Sequence, residues 1–472
     1  MPRFRYETRL PFPTDEVFAW HARPGAFERL APPWTTIRVR ERKGTIRDGD
    51  EVGLEFERGP LRFIWRFRHR DFAEGRGFTD EQVSGPFQRW VHEHRFEPDE
   101  LGGTSVVDEI QWELPAVAVD ALATPVVERE LARVFAFRAR RLRNDLSLHA
   151  RWRGRSRLAV GLTGAGGLIG GALRHFLTAG GHRVVALVRD AERARREDGS
   201  IYWNPERGEI APDALAGLDA VVHLAGEPIV QLPRWTAEKK KRILESRVRG
   251  TELIARAVAT QHDRGPRVLL SGSAVGYYGN RKDEVLTEDS GSGKGFLAEV
   301  TSAWEDATRR ARGSGVRVAL LRLGPVLTPA GGMLKKVLIP FRMGMGGRVG
   351  SGHQYVSWVD SDDAMGIVLH ALMAQLEGPI NVCSPHPVPN ATFADILGRV
   401  LERPTLVPVP ALVVKAGLGE MGEESLLHSQ RAKPERLLRS GYDFLFEGVE
   451  ECLRFELGRA APPGRPRKDE AR

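Results

Sequence analysis

The sequence predicts a doubly wound α/β fold, with helices on both faces of a parallel sheet, preceded by a smaller α+β domain. Two observations predict the α/β part: a glycine-rich run follows an apolar strand at residues 163–170, and apolar strands then alternate with helical patterns. A third predicts the α+β part, because apolar and polar residues mostly alternate up to residue 114 and a long amphipathic pattern follows.

Length and composition define the class of protein. The 472 residues predict two or three domains of about 150 residues each, and 41% hydrophobic residues suffice for buried cores. A net charge of +8 is small for this length, so we expect no nucleic-acid partner. Cys383 and Cys452 are too few for a disulfide framework. No membrane helix or signal peptide is predicted, and we expect a soluble, cytoplasmic protein.

The first 150 residues are predicted to form an antiparallel sheet with one long helix. Period-two alternation predicts strands at 3–10, 36–42, 51–57, 61–70, 87–96 and 104–114. Thr14 and Asp15 can cap a short helix over 16–20, and helical spacing over 126–148 predicts the long helix. A strand, a short helix, a run of antiparallel strands and a long C-terminal helix follow one another in the order of a helix-grip fold. We therefore expect the long helix to lie across a curved sheet and to enclose an apolar cavity.

Short phrases in the same region resemble a known superfamily. Residues 7–11 (ETRLP), 20–25 (WHARPG), 32–34 (PPW) and 85–87 (GPF) look like the START-like (SRPBCC) ligand-binding superfamily, in the branch that includes polyketide cyclases. The resemblance covers residues 1–150. It implies a pocket for an apolar small molecule, whose identity stays open.

Two histidines in this domain raise the question of a metal. Trp90, His92 and His94 share one face of a predicted strand, and two imidazoles at that spacing can bind a metal or an anionic head group. The sequence places no obvious third ligand beside them. We therefore favour a mixed, half-solvated strand face and predict no metal.

A basic stretch ends the first domain. Its arginines, with Asp145 as the sole acid among them, are Arg138, Arg140, Arg141, Arg143, Arg151, Arg153, Arg155 and Arg157. A solvated helix face explains them more simply than an anion-binding patch. Residues 151–157 lack periodicity, so we predict a basic linker there and a domain boundary near residue 150.

The strongest signal is the run Thr163-Gly164-Ala165-Gly166-Gly167-Leu168-Ile169-Gly170, between a strand at 158–162 and a helical pattern at 172–179. Gly164 permits a tight turn, Gly167 lets the backbone approach a pyrophosphate, and Gly170 lets helix and strand pack closely. The helix N-terminus supplies unpaired N–H groups for the phosphates. This context predicts dinucleotide binding.

The next strand, 183–188, bears on the choice of cofactor. NAD enzymes usually carry an acidic residue at the end of this strand to bind the ribose hydroxyls. Here the apolar Val188 is followed by Arg189, which can hold a 2′-phosphate, and then by Asp190. We favour NADP(H), with NAD(H) possible.

Further strands at 219–226, 267–271 and 316–321, with helices at 236–259 and 297–312, complete the α/β pattern. The motifs at 163–170, 223–226 (HLAG), 271–274 (SGSA) and 321–325 (LRLGP) resemble the short-chain dehydrogenase/reductase superfamily, in its epimerase-like branch. Residues 234–236, 246–247 and 358–360 are similar to an atypical subgroup with a small C-terminal domain of unknown function.

This resemblance implies a Rossmann fold and a set of cofactor contacts. The positions that match are Thr163, Gly164, Gly166, Gly167, Leu168, Ile169, Gly170, Leu224, Ala225, Gly226 and Ser271; Arg189 is added to them on the charge argument given above. It also implies domains at 158–406 and 407–457. The remaining segment, 458–472, is rich in Pro and charge and is predicted to be disordered.

The catalytic residues of the superfamily are only partly present. Its chemistry uses Ser or Thr together with Tyr and Lys four residues apart, and Ser273 matches the serine. Where the tyrosine belongs stand Phe296 and Leu297, and four residues later stand Val300 and Thr301. None of these can replace the Tyr–Lys pair, so any catalysis must use another acid.

Tyr277 and Tyr278 are the candidates for that acid, because they follow Ser273 at the sheet edge where ligands bind in this architecture. A purely structural role for both stays open, since Tyr278-Gly279 also matches a non-catalytic tyrosine of the branch. His223 is interpreted as a buried strand residue.

On the substrate side, the resemblance implies contacts from residues 325–360. Arg348 and Gln354 can bind an anionic or polar substrate, and Trp358 lies close to them in sequence; a plain mobile loop is an equal alternative. No metal is predicted at this site, and the oligomeric state stays open.

The function predicted from these features is an NADP(H)-dependent oxidoreductase or epimerase-like enzyme with an unidentified small-molecule substrate. Ser273 would polarise a substrate carbonyl, and Tyr277 or Tyr278 would donate the proton. A nucleotide-binding regulator without turnover, related to cell division, and a carrier of hydrophobic ligands are the alternatives. A polar cleft beside Ser273 would favour the enzyme, and a cleft filled by Phe296, Leu297 or Trp358 would favour the regulator.

Overall fold

The computed structural model describes residues 1–58, 61–115, 120–196, 199–230, 234–261 and 264–459. The predicted disordered tail lies almost entirely outside these residues. By contacts, the chain divides into two compact units: Met1–Arg153 with Thr178–Gly181 and the segment from Arg454, and Gly154–Leu177 with His182–Leu453. Within the described residues, no helix is long and apolar enough to cross a membrane.

The described residues of the first unit form a seven-stranded antiparallel sheet and the helices α1 to α3. Its strands are β1 (Arg3–Leu10), β2 (Thr36–Lys43), β3 (Glu51–Arg58), β4 (Leu61–Ala73), β5 (Gly77–Ser84), β6 (Arg89–Pro98) and β7 (Thr104–Glu113). The helices are α1 (Thr14–Ala22), α2 (Ala26–Leu30) and α3 (Asp120–Ala150). The strand order is β1-β7-β6-β5-β4-β3-β2. On α3, Phe135 packs against Phe4 and Tyr6 of β1 and His92 of β6, so the long helix covers one sheet face.

All six strands predicted in this region are confirmed, as are the short and the long helix. Strand β5 and helix α2 were not predicted. The β5 sequence Gly77–Ser84 contains four polar residues in a row, at 79–82, so the alternation that marks a half-buried strand is missing. Residues 77–84 form a strand because they pair with β4 on one side and β6 on the other, although their own sequence does not indicate one.

The second unit is built on an eight-stranded sheet. Its strands are β8 (Ala159–Thr163), β9 (Arg183–Val188), β10 (Ile201–Asn204), β11 (Glu209–Ile210), β12 (Ala220–His223), β13 (Val268–Ala274), β15 (Arg317–Leu323) and β19 (Gly378–Val382). The order is β11-β10-β9-β8-β12-β13-β15-β19, and all neighbours are parallel except β10 and β11. This is the predicted doubly wound α/β sheet.

Short strands form pairs outside this sheet: β14 (Val285–Leu286) with β21 (Arg431–Ala432), β16 (Val326–Leu327) with β18 (Val359–Asp360), and β17 (Tyr355–Val356) with β20 (Val388–Pro389). The helices after α3 are α4 (Leu168–Ala179), α5 (Ala191–Arg196), α6 (Ala237–Thr260), α7 (Phe296–Asp306), α8 (Arg309–Arg312), α9 (Gly332–Arg342), α10 (Ser361–Met373), α11 (Asn390–Leu401), α12 (Ala411–Gly422), α13 (Glu435–Arg439) and α14 (Val449–Glu456). The helix predicted at 297–312 is therefore two helices, α7 and α8.

Register places the carboxyl ends of the central strands side by side. Thr163 on β8 pairs with His223 on β12, which pairs with Ser271 on β13. Further along the same edge, Ser273 pairs with Arg322 on β15, which pairs with Asn381 on β19. Because ligands bind outside the carboxyl ends of strands in open α/β sheets, this edge is where a site is expected.

Candidate dinucleotide site and active site

The turn between β8 and α4 has a geometry that only glycine permits at two positions. Gly164 has φ of +70°, in the left-handed region. A Cβ on Gly170 would lie 2.2 Å from the Gly164 carbonyl oxygen, a distance that no side chain tolerates. The Gly167 N–H donates to the same carbonyl at 2.9 Å. The tight turn and the close approach of helix to strand that the sequence predicts are therefore both observed.

The outer face of this turn is open. Gly166, Gly167 and Leu168 are exposed, and a Cβ on Gly166 would meet no atom within 4 Å. Helix α4 begins at Leu168, so its first N–H groups face this space, and Ile169 behind them is half-buried. An anion fits here, because unpaired N–H groups and the helix dipole both attract negative charge. The residues present thus suit the pyrophosphate of a dinucleotide.

Thr163 ties the glycine turn to the neighbouring strand. Its Oγ1 accepts hydrogen bonds from the backbone N–H groups of Leu224, at 3.0 Å, and Ala225, at 3.1 Å. It also lies 2.8 Å from Nδ1 of His223. Since the hydroxyl already accepts twice, its single hydrogen is available for Nδ1, which must then be the unprotonated nitrogen of the ring.

His223 is fully buried, as predicted, and its environment keeps it neutral. Burial, and then the nearby Arg247 guanidinium, lower the pKa of His223 to about 3. A neutral ring is the form that the Thr163 hydrogen bond requires. No local pattern indicates that this histidine supports the cofactor loop, because the contact joins residues 60 positions apart.

Arg189 and Asp190 follow β9 and are both exposed, but only Asp190 has hydrogen bonds to the protein that bear on its use by a cofactor. The Asp190 carboxylate accepts the backbone N–H groups of Glu192, at 2.9 Å, and Arg193, at 3.1 Å, so it caps helix α5. Both bonds go to Oδ1, so the cap fixes the orientation of this carboxylate without using Oδ2. Arg189 remains as a positive side chain at the position that decides cofactor choice.

Other predicted cofactor contacts lie near the same edge. Leu224 and Ala225 are half-buried and Gly226 is exposed, whereas Ser271 is fully buried. A Cβ on Gly226 would lie 3.2 Å from the Arg247 guanidinium carbon, so a small residue is favoured there. Ser271 is enclosed by the sheet in this conformation and does not line the open face.

Ser273 belongs to a buried polar network rather than to an open cleft. Its side chain is almost fully buried, and its hydroxyl donates to Oε1 of Glu305 at 2.7 Å. The Glu305 carboxylate also accepts two hydrogen bonds from Arg322, at 2.8 and 2.9 Å. The structure thus gives the Ser273 hydroxyl a protein partner, where the sequence predicted a substrate carbonyl.

The two candidate tyrosines have different environments. Tyr278 is fully buried, and its hydroxyl lies 2.7 Å from Oδ1 of Asn381 and accepts from Arg322 at 3.0 Å. Burial raises the pKa of Tyr278 to about 12. These contacts favour the structural interpretation of Tyr278. Tyr277 is only half-buried, and its ring lies 3.6 Å from the Arg322 guanidinium.

The position of the missing tyrosine is closed by apolar side chains and a carboxylate. At the start of α7, the N–H groups of Phe296 and Leu297 donate to the two carboxylate oxygens of Glu424, each at 2.8 Å. The Phe296 ring packs edge-on against Trp235, with centroids 5.0 Å apart, under the Lys240 ammonium. Nothing in the sequence pattern pointed to Glu424, which lies 128 positions from Phe296.

Two of the three predicted substrate contacts need correction. Trp358 is fully buried, and its indole N–H donates to the His386 carbonyl at 3.1 Å. The Gln354 amide donates to the Val349 and Leu426 carbonyls at 2.8 and 3.0 Å. Both side chains therefore support the local fold, because their polar atoms are used within it. Arg348 is exposed and stays a candidate contact.

Comparison with known proteins identifies related sequences for most of the chain. Residues 160–383 match the family described as the NAD dependent epimerase/dehydratase family. Residues 409–456 and 60–146 match two domains of unknown function, DUF1731 and DUF8410. An epimerase family protein of Mycobacterium bovis is 44% identical over 301 residues, which are 64% of this chain and 98% of the relative.

Two solved structures are similar at 34% identity. A nucleoside-diphosphate sugar epimerase from Corynebacterium glutamicum aligns with 98% of this chain and 91% of its own, with a TM-score of 0.80. Human epimerase family protein SDR39U1, solved with NADPH, aligns over 64% of this chain and 99% of its own, with a TM-score of 0.58. The first match extends over both units, and the second covers about as much of the chain as the Mycobacterium relative.

Proposed function

The chain belongs to the NAD dependent epimerase/dehydratase family, and from that premise we propose that it is an NADP(H)-dependent oxidoreductase or epimerase-like enzyme. Within the family it is an atypical short-chain dehydrogenase/reductase with a DUF1731 segment. The observation that carries the proposal is the open glycine turn at Gly164–Gly170, which has room for a pyrophosphate beside the N-terminus of α4. The substrate is an unidentified small molecule.

We propose NADP(H) rather than NAD(H) because of the two charged side chains that follow β9. The Asp190 carboxylate caps α5, whereas the exposed Arg189 can pair with a 2′-phosphate. The human relative was solved with NADPH, which agrees with this choice. Gly164, Gly166, Gly167 and the start of α4 would hold the pyrophosphate, and the buried Thr163 would fix the turn against the neighbouring strand.

The reaction needs a proton donor as well as a hydride carrier. When bound, NADP(H) would supply or accept the hydride. We assign the proton to Tyr277, because Tyr278 is enclosed by Asn381 and Arg322 whereas Tyr277 is only half-buried. The Arg322 guanidinium packs against the face of the Tyr277 ring, and Arg322 is itself held by a hydrogen bond to Glu305. In this arrangement Ser273 is a positioning residue that orients Glu305.

The test is a turnover screen of the purified chain with NADPH against aldehydes, ketones and sugar nucleotides. For any substrate found, Tyr277→Phe should lower kcat about 100-fold or more while the Kd for NADPH stays unchanged. Tyr278→Phe is the matched control, and its main expected effect is lower stability, since it leaves buried Arg322 and Asn381 groups unpaired. Unchanged kcat in Tyr277→Phe would remove Tyr277 from the mechanism.

A second candidate, a dinucleotide-binding regulator without turnover, has its own support. The apolar cluster around Phe296 stands where the family's tyrosine belongs, and the Ser273 hydroxyl is bound to Glu305. Tight NADPH binding with no turnover of any carbonyl in the screen would favour this function over the enzyme.

For the N-terminal region we propose a START-like helix-grip domain at residues 1–150, joined by a basic linker at 151–157 to domains at 158–406 and 407–457. The antiparallel sheet covered by α3 supports this assignment. An apolar-ligand pocket in it, and a role as a hydrophobic-ligand carrier, belong to the same proposal.

A further inference from the structure

The inner face of the first unit's sheet carries five ionisable side chains side by side. We name them the His–Asp belt: His69 on β4, Asp80 on β5, His92 and His94 on β6, and Asp108 on β7. The register pairs His69 with Asp80, Asp80 with His92, and His94 with Asp108. Because paired residues point to the same face of a sheet, all five project toward α3, where Phe135 contacts His92.

Hydrogen bonds connect the whole belt. His69 Nδ1 lies 2.6 Å from Oδ1 of Asp80, and His94 Nε2 lies 3.4 Å from the other oxygen of that carboxylate. His94 Nδ1 and His92 Nε2 lie 2.8 and 3.0 Å from the same oxygen of Asp108. The side chains of His92 and His94 are only 7% and 11% exposed, so water contributes little to their solvation.

The His–Asp belt lies among apolar side chains, where charged groups lower the stability of the fold. Phe18, Phe78 and Phe96 belong to an apolar cluster on one side of the belt, and Trp90 and Trp112 belong to a second cluster on the other. Charged groups buried among apolar side chains usually contribute less stability than apolar residues of similar volume would. A binding site is one reason to hold such groups together in a core.

Three members of the belt have the geometry of a metal site. One ligand atom from each of Asp80, His92 and His94 lies within 4.8 Å of the other two. Two imidazole nitrogens and one carboxylate oxygen are a ligand set that binds zinc and other divalent first-row transition metals. With only three protein ligands, such an ion keeps an open position for water or for an oxygen atom of a ligand.

The other two members occupy positions typical of outer partners in metal sites. Asp108 contacts Nε2 of His92 and Nδ1 of His94, while Nε2 of His94 lies beside the Asp80 carboxylate, so an ion between that nitrogen and Asp80 would leave the His94–Asp108 contact in place. His69 contacts Oδ1 of Asp80, whereas His94 lies near Oδ2 of the same carboxylate. Partners of this kind fix the orientation of the ligands.

We propose that Asp80, His92 and His94 bind a divalent transition-metal ion in the N-terminal unit, positioned by Asp108 and His69. The open position would give a small ligand of this domain an oxygen-binding centre within an otherwise apolar core. This site is separate from the dinucleotide site and does not depend on the proposed NADP(H) chemistry.

The test is metal binding by the full-length chain, purified with its affinity tag removed and stripped with a chelator. Titration with Co²⁺, followed by visible absorption and then by Zn²⁺ competition, should show one tight site per chain. Elemental analysis of the Zn²⁺-loaded protein should give the same stoichiometry. A wild-type chain that takes up no stoichiometric metal would overturn the proposal and leave the belt as a hydrogen-bonded network.

Variants locate the site. Asp80→Asn and His94→Asn should abolish the tight site, and Asp108→Asn should weaken it about 10- to 100-fold. His370→Asn is the matched control, because His370 is also buried and hydrogen-bonded, to Ser440, but lies in the other unit. NADPH binding of each variant shows whether the second unit is intact. Full metal uptake by His94→Asn would contradict the assignment, and wild-type stoichiometry decides the question if the variants fail to fold.

Discussion

At the scale of single residues, the hydrogen bond between Thr163 and His223 links a buried imidazole to the cofactor turn. Thr163 can hold the N–H groups of Leu224 and Ala225 only while its hydrogen goes to an unprotonated Nδ1. The neutral state of His223 is thus a condition for the shape of the turn. This contact sets an expected pH dependence for stability.

The pKa of His223 is about 3 in the folded chain, against an ordinary value of 6.5. A lowered pKa gives stability that is fully present above pH 6.5 and is lost as the pH falls toward 3, by up to about 1.4 kcal/mol per pH unit. His223→Asn keeps an acceptor near Thr163 but cannot titrate, so its free energy of unfolding should fall less between pH 6.5 and 4. Urea unfolding at several pH values measures this, and parallel curves would contradict it.

At the scale of elements, the strand–turn–helix from β8 to α4 depends on a helix that starts very close to the strand. Gly170→Ala should abolish measurable NADPH binding, because its Cβ would lie 2.2 Å from the Gly164 oxygen and force the turn apart. Gly171→Ala is the control, since a Cβ there meets only the Ala165 carbonyl oxygen at 3.6 Å, an ordinary contact. Equal NADPH affinities in fluorescence titrations of the two variants would refute this account of the turn.

Helix α7 depends on a carboxylate from a distant segment. Glu424→Gln should lower the free energy of unfolding by about 1–2 kcal/mol, because an amide can accept one of the Phe296 and Leu297 N–H groups but opposes the other. Glu420→Gln, which alters an exposed pair with Lys240, should cost less than about 1 kcal/mol. Chemical denaturation compares the two, and equal effects would show that Glu424 is not a cap.

Elements with a strong local pattern could be predicted from the sequence, whereas contacts between distant segments could not. Strong alternation and the glycine run predicted β1, β8 and α4, because local pattern and tertiary burial agree there. Strand β5 was missed because four consecutive polar residues, 79–82, interrupt the apolar pattern. Asp80, which we propose as a third ligand beside His92 and His94, lies on this strand and was not singled out either. The Glu424 cap and the Ser273–Glu305 contact join distant residues, and no local signal reports such pairs.

At the scale of the whole molecule, the chain combines a dinucleotide-binding unit with a separate antiparallel unit. A solved structure that aligns with 98% of the chain shows that this combination occurs elsewhere. The proposed function depends on NADP(H) binding by the dinucleotide-binding unit. Substrate capture by the antiparallel unit would add to that function but is not required for it.

The proposed function depends above all on NADP(H) binding at the glycine turn, with Arg189 as the selecting residue. The most direct test is a fluorescence titration of the purified chain with NADPH and NADH, in wild type, Arg189→Ala and the exposed-arginine control Arg207→Ala. We expect tight NADPH binding by wild type and the control, weaker NADH binding, and a loss of the NADPH preference in Arg189→Ala. Binding of neither cofactor by the wild-type chain would contradict it.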